Sequence, residues 1–256
     1  MADSIHLKIF RSDGSGVGEM VDYTIPADPG MVILDAVHKV QAMHANDLAV
    51  RWNCKAGKCG SCSAEVNGRP KLMCMDRLDK YPPGETISIR PMKSFPVMKD
   101  LVCDVSWNYR VNKKIPAFKM KASAQADPRF TQEEADRVQE FRKCIECFLC
   151  QDVCHVVREH DLKEQFAGPR FLVRAASLEM HPLDDIDRIP MIKQEMGIGY
   201  CNITKCCTEV CPENITITDN AIIPLKERVV DRFYDPVKMI LYKIMPKRKK
   251  PPTSAG

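Results

Sequence analysis

Thirteen cysteines occur in this 256-residue chain, and twelve of them fall into three groups. Cys54, Cys59, Cys62 and Cys74 form the first, Cys144, Cys147, Cys150 and Cys154 the second, and Cys201, Cys206, Cys207 and Cys211 the third; Cys103 stands alone. Thiols grouped at this density in an intracellular chain are metal ligands more often than disulfides. The first group lies in RWNCKAGKCGSCSAEVNGRPKLMC, spaced Cys-x4-Cys-x2-Cys with eleven residues before the fourth. Its first three cysteines match the plant-type [2Fe–2S] pattern. Gly57 and Gly60 suit that chemistry, because backbone N–H groups must approach the sulfurs closely. A four-thiolate zinc site usually shows two knuckles of closely spaced pairs, and the isolated fourth cysteine disfavours it.

The second group, CIECFLCQDVC, is spaced Cys-x2-Cys-x2-Cys-x3-Cys. In the bacterial ferredoxin run three such cysteines hold one cluster and the fourth reaches another. The third group, CNITKCCTEVCP, aligns with it as Cys201, Thr204, Cys207 and Cys211, with threonine in the second slot. Exchange of the fourth ligands assigns Cys144, Cys147, Cys150 and Cys211 to a [4Fe–4S] cluster and leaves Cys154, Cys201 and Cys207 for the other site. A hydroxyl binds iron weakly, so three thiolates and Thr204 predict a [3Fe–4S] cluster. Cys206 is the competing ligand, but choosing it loses the match to Cys150-x3-Cys154; it is read as a small buried hydrophobe, and Cys103 as core.

Positioning these ligands needs two kinds of structure. HLKIFRS and GEMVDYTIP read as strands joined by DGSG, and Met31 to about Asn46 has helical spacing at Ile33, Val37 and Val40. SAEVNG reads as a short strand and turn, and TISIRPM from Thr86 alternates like a strand. GSGVG lies in the hairpin and opens no helix, which excludes a phosphate loop. This order is that of a β-grasp ferredoxin domain over residues 1–105. Residues 106–130, basic and weakly periodic, read as a connecting segment. TQEE from Thr131 offers a capping box for a helix leading to Cys144, and opens an α-helical dicluster domain over 131–256. The fold class is α+β.

Composition excludes other classes. With 45% hydrophobic and 28% charged residues the chain is not mainly disordered. Its net charge of +4 resides in Lys247, Arg248, Lys249 and Lys250; the remainder is balanced, which argues against a nucleic-acid partner. That tail reads as a solvated end, with contact to anionic lipid as the alternative. The segment from Asp231, with Phe233, Val237, Ile240, Leu241 and Ile244, either closes the core or lies against a membrane surface. MADSIHLKIF lacks the features of a secretory signal, and no apolar stretch is long enough to span a bilayer, so the expected location is cytoplasmic. His38 and His44 read as surface or capping residues. No constellation of catalytic residues is evident.

The three cysteine motifs in this order, together with RPMKSFPVMKDLVCDVS, resemble the iron–sulfur subunit of succinate dehydrogenase and fumarate reductase, over about residues 5 to 240. The resemblance implies an electron relay. A flavoprotein partner oxidises succinate at its FAD, and electrons pass through the three clusters to quinone at a membrane anchor subunit. The chain would sit peripherally on the cytoplasmic face of the membrane. Fumarate reductase, running in the opposite direction, is the alternative, and a zinc-stabilised interaction module is a remote one. Two departures bear on the quinone. The ubiquinone-linked members carry proline after the cysteine matched by Cys154, then a tryptophan pair; His155, Arg158 and Glu159 stand there instead. Their histidine after the cysteine matched by Cys201 is replaced by Asn202. These departures favour menaquinone or a differently placed quinone site, and mark His155 and Asn202 as quinone-adjacent candidates, with His155 a candidate proton donor or hydrogen-bond donor to sulfur.

Overall fold

Residues 4–15 and 17–244 are described by a computed structural model. The chain divides into two units, Met1–Val105 with Ile145–Val153, and Ser106–Cys144 with Cys154–Gly256. In the first, the alternation of HLKIF forms β1 (Ser4–Ser12) with Leu7 and Ile9 fully buried. A turn through Gly14, at φ +98°, returns the chain as β2 (Gly18–Pro26), antiparallel to β1. Next comes α1 (Ile33–Met43), which packs on β2 and buries Ile33, Leu34, Ala36, Val37 and Val40 along one stripe. β3 (Ser63–Val66) and β4 (Arg69–Leu72) form a hairpin over Asn67 and Gly68, both in the left-handed region that a two-residue hairpin turn requires. β5 (Thr86–Arg90) pairs parallel to β1 and antiparallel to β3, so the sheet order is β2-β1-β5-β3-β4. A two-stranded ribbon, β6 (Val97–Lys99) and β7 (Val102–Cys103), follows.

Two devices in this unit hold the first cysteine group. The leading amides of α1 have no intrahelical partner. Ile33 N donates instead to Asp76 O at 2.9 Å and Leu34 N to Met73 O at 3.1 Å, which fixes the carbonyls on either side of Cys74; Met73 N in turn donates to Cys62 O at 3.1 Å. The second device is Asp100, fully buried and at φ +47°. Its Oδ1 accepts from Ser12 N at 2.8 Å and Arg11 Nε at 3.0 Å, and its Oδ2 from Ala49 N at 2.8 Å. One carboxylate therefore ties the end of β1 to the strand of chain that runs into Cys54.

The second unit is helical. α2 (Ser106–Lys114) occupies the beginning of the segment expected to be a connection, and Asn108 within it is fully buried. α3 (Gln132–Gln139) starts at the capping box read from the sequence: Glu134 N donates to Thr131 Oγ1 at 3.3 Å, and Thr131 N to Glu134 Oε2 at 2.9 Å. α4 (Leu149–Asp152) belongs to the first unit. The second continues with α5 (His155–Arg158), α6 (Pro169–Glu179) and α7 (Ile189–Gln194). α8 (Cys206–Glu209), α9 (Ile223–Phe233) and α10 (Pro236–Ile244) complete it. α6 is buried on almost every side, and a π-helical turn, Ile217–Ile222, packs on it and on α9. Arg188 is fully buried; it pairs with Asp184 at 2.9 Å and donates to Pro116 O and Ala117 O.

Tyr234, Val237, Ile240 and Leu241 are exposed. The basic cluster at 247–250 lies outside the described residues. Among the described residues no helix is long and apolar enough to cross a membrane.

Replacing Asp100 with Ala takes the acceptor from the buried Ser12 amide and the half-buried Ala49 amide and removes one of the three side-chain partners of Arg11, a loss of about 3 kcal/mol. Thermal unfolding of the full chain should shift downward by roughly 6–12 °C; an unchanged midpoint would show that the clamp carries no stability.

Candidate functional site

In the first group, left-handed residues at Lys55 (φ +53°), Gly57 (+68°) and Gly60 (+67°) curl the backbone so that its amides face sulfur. Ala56 N and Lys58 N donate to Cys54 Sγ at 3.4 and 3.3 Å, and Gly57 N donates to Cys74 Sγ at 3.3 Å. Cys62 and Cys74 are buried, Cys59 is half-buried and Cys54 exposed. Burial pushes the Cys62 thiol up to about 12, and the Cys74 thiol shares a hydrogen bond with it. At Cys59 burial acts upward, but hydrogen bonds from Ser61 and Cys54 outweigh it and bring the thiol down to about 6. Cys59 also interacts electrostatically with Cys62, so all four thiols are linked. Four thiols ringed by inward-facing amides fit a [2Fe–2S] group, whose sulfurs gain from N–H donors.

Gly60 also makes a close approach possible. A Cβ there would stand 2.6 Å from Cys147 Cα, whereas one at Gly57 would meet only the flexible side chain of Met75, at 2.8 Å. Ser63 Oγ donates to Cys147 O at 2.9 Å, at the same place.

The second and third groups adopt one backbone conformation twice. Each follows a single turn of 3₁₀ helix, Glu140–Lys143 and Ile198–Tyr200, that ends on an extended cysteine: Cys144 at φ −64°, ψ 116° and Cys201 at φ −71°, ψ 120°. Two residues later Glu146 and Ile203 are left-handed (φ +57° and +62°), and two beyond those so are Phe148 and Lys205 (+61° and +63°). Four-residue helices then follow, α4 and α8. Such conformations are uncommon for non-glycine residues, most of all for Ile203 and Phe148. Superposing the two conformations in sequence aligns Thr204 with Cys147, Cys206 with Leu149, Cys207 with Cys150 and Cys211 with Cys154.

Within the second unit, Cys154 and Cys207 are buried, which pushes their thiols up to about 11 and about 12; each also interacts with Cys201 and Cys206. Cys207 Sγ lies 3.5 Å from Thr218 Oγ1, a buried hydroxyl eleven residues downstream that no sequence motif announces. Cys211 Sγ accepts from Ile215 N at 3.4 Å and interacts with Cys144. The arm before Cys144 is tied down by Glu140, which accepts from Thr216 N and Asn220 Nδ2, each at 2.6 Å. Cys103 is buried, with its Sγ 3.6 Å from Met92 O, as expected of a core residue.

Cys206 departs from expectation. It is not a small buried hydrophobe but half-buried, with its Sγ 3.4 Å from Thr204 Oγ1, because it opens α8 instead of lying in a packed interior. His155 and Asn202, expected separately, meet: Asn202 Nδ2 stands 2.7 Å from His155 Nε2. Among the described residues no three His, Cys, Asp or Glu side chains close around a single metal ion.

A sheet unit presenting a four-thiol loop, joined in sequence to two matching cysteine arms, makes this an iron–sulfur protein of electron transport. Residues 6–109 match the 2Fe-2S iron-sulfur cluster binding domain and residues 140–215 the 4Fe-4S dicluster domain. A chain of the Mycobacterium smegmatis Sdh1 complex in the apo form is 58% identical in sequence with a TM-score of 0.89, covering 93% of this chain and all of that one. The fumarate reductase iron-sulfur subunits of Mycobacterium tuberculosis and Wolinella succinogenes are 28% and 29% identical; they cover 84% and 90% of this chain, and 89% and 99% of their own lengths are matched. A CoM/CoB fumarate reductase polypeptide of Methanothermobacter marburgensis is 30% identical over 87% of this chain, which spans 44% of that longer relative. The chain belongs to the family of iron–sulfur subunits of succinate dehydrogenase and fumarate reductase.

The two loop glycines make a graded test. Gly57→Ala and Gly60→Ala both place a side chain in the left-handed region, at about 1–2 kcal/mol, but only Gly60→Ala adds a backbone collision. The expected result is near-normal [2Fe–2S] content in Gly57→Ala and a severe loss in Gly60→Ala, read from iron content and the reduced [2Fe–2S] EPR signal. Equal content in the two would contradict the close approach at Gly60.

Proposed function

We propose that this chain relays electrons from the FAD of a flavoprotein subunit, which oxidises succinate to fumarate, to menaquinone at a membrane anchor subunit. In this reading Cys54, Cys59, Cys62 and Cys74 hold a [2Fe–2S] cluster. Cys144, Cys147, Cys150 and Cys211 hold a [4Fe–4S] cluster, and Cys154, Cys201 and Cys207 a [3Fe–4S] cluster. When bound, these groups supply one-electron steps at potentials set by cluster type, charge and hydrogen bonding to sulfur.

The repeated arm carries this assignment. If the two arms present ligands in one register, Cys207 falls where Cys150 does, and Cys206, opposite Leu149, falls out of the ligand set. Threonine then occupies the second slot, which supports a three-iron centre. The remaining residues position and tune. Amides of Ala56, Gly57 and Lys58 offset charge on Cys54 and Cys74, and Thr218 offers a hydroxyl to Cys207. Asn202 and His155 orient each other beside Cys201 and Cys154, a pair suited to quinone or to proton delivery.

The domain reading is a β-grasp domain over 1–105, a connection over 106–130 and a helical dicluster domain over 131–256. The exposed rim around Cys54, formed by Trp52 and Met75, suits the flavoprotein partner. The location that follows is peripheral, on the cytoplasmic face of the membrane. Likeness to the Sdh1 complex chain favours the dehydrogenase direction; the names of the M. tuberculosis and W. succinogenes relatives favour fumarate reductase as the second reading.

The test uses the assembled complex in anaerobic stopped flow. Succinate should bleach the iron–sulfur absorption and reduce a naphthoquinone. Cys207→Ala should retain succinate-driven flavin reduction while losing quinone reduction by at least about tenfold. Quinone reduction unchanged in Cys207→Ala, or no bleaching by succinate, would overturn the assignment.

A further inference from the structure

Cys206 belongs to none of the three ligand sets, yet it stands among the thiols of the third. Its sulfur touches the hydroxyl of Thr204, 3.4 Å away. Thr204 is the residue whose counterpart in the other arm is Cys147. A thiol is therefore delivered to the side chain at the slot where this arm lacks one. Cys206 lies near enough to both Cys154 and Cys207 to interact electrostatically with each. Packing does not account for it: the counterpart Leu149 is 1% exposed, whereas Cys206 is half-buried.

We propose that Cys206 is a conditional fourth ligand, which lets the site of Cys154, Cys201 and Cys207 take up one ferrous ion when reduced and release it when oxidised. The inference rests on the three-iron reading of that site. The step balances without a further reagent. A one-electron-reduced [3Fe–4S] core of zero charge, Fe²⁺ and the Cys206 thiol give a [4Fe–4S]²⁺ core bound to the Cys206 thiolate. An Fe–Sγ bond forms, the S–H bond breaks, and one proton passes to water. The reducing electron is the one the succinate-driven relay delivers. In reverse, one electron leaves to the quinone acceptor, Fe²⁺ departs and Cys206 is reprotonated. Thr204 keeps a role in both states, because its hydroxyl can hydrogen-bond the Cys206 sulfur as thiol or as thiolate. Cluster type sets the reduction potential, so uptake makes electron delivery from this site responsive to ferrous iron.

The experiment uses the intact complex carrying wild-type chain, Cys206→Ala or Cys206→Ser. Each oxidised sample is first examined by low-temperature EPR, where a three-iron centre contributes about one spin per chain. The samples are then reduced with dithionite, given isotopically labelled ferrous iron, desalted anaerobically and examined by Mössbauer spectroscopy. Wild type should retain about one labelled iron per chain in a cubane environment, and Cys206→Ala at least about tenfold less. Oxidation with a naphthoquinone should release the label and restore the starting signal. Wild type retaining no label, or both variants retaining as much as wild type, would overturn the proposal. An intact brown wild type without the starting signal would instead overturn the three-iron reading itself. Cys206→Ser, which preserves shape, serves if Cys206→Ala does not assemble.

Discussion

Thiolate charge in a buried place is the constraint around which this protein is built. A thiol removed from water resists ionisation, and burial holds Cys62 and Cys207 up at about 12 and Cys154 at about 11. Iron bonds to sulfur only after the proton has gone, so on the proposed assignment cluster binding supplies the free energy that the buried sites withhold. Much of the local structure lowers that penalty. Amides of Ala56, Gly57 and Lys58 point at sulfur, Ile215 N does the same for Cys211, and Thr218 brings a hydroxyl to Cys207.

Amides can face inward only if the backbone turns back on itself, and in the first group left-handed residues make that turn. Glycine makes it in the first group at Gly57 and Gly60. The two later arms make it with Glu146, Phe148, Ile203 and Lys205, each at about 1–2 kcal/mol. Strain of this kind persists where the surroundings over-determine it and the site needs the shape. Using one arm twice separates shape from chemistry. Backbone conformation is kept while single side chains change, cysteine to threonine at 204 and leucine to cysteine at 206. On the proposed ligand assignment, the two sites differ in ligand number while their supports share one backbone conformation.

Much of this was legible in the sequence, for reasons that can be named. Cysteine spacing aligned the second and third groups, and their backbones repeat one conformation in that alignment. The hairpin of β1 and β2, the strand from Thr86 and the capping box at Thr131 are local patterns and were readable as such. What escaped was non-local or disguised. The parallel pairing of β1 with β5 joins segments about eighty residues apart, and no local periodicity reports it. Asp100, in the run MKDLVC, looks like a surface carboxylate; its burial follows from three donors brought together by folding. α2 is too basic and too weakly periodic to stand out from a linker. Between the adjacent cysteines at 206 and 207, spacing alone favoured 207, and the left-handed Lys205, in register with Phe148, repeats that alignment in the backbone.

The central claim, that two like arms and one loop carry three clusters with threonine in a ligand slot, is tested most directly by the native mass of the quinone-oxidised chain measured with and without its inorganic content. Clusters of two, four and three irons add about nine irons and ten sulfides, the amount this account predicts. An intact chain carrying about ten irons would mean a second four-iron cluster and a ligand at every slot. Zinc in place of iron, without sulfide, would contradict the account entirely.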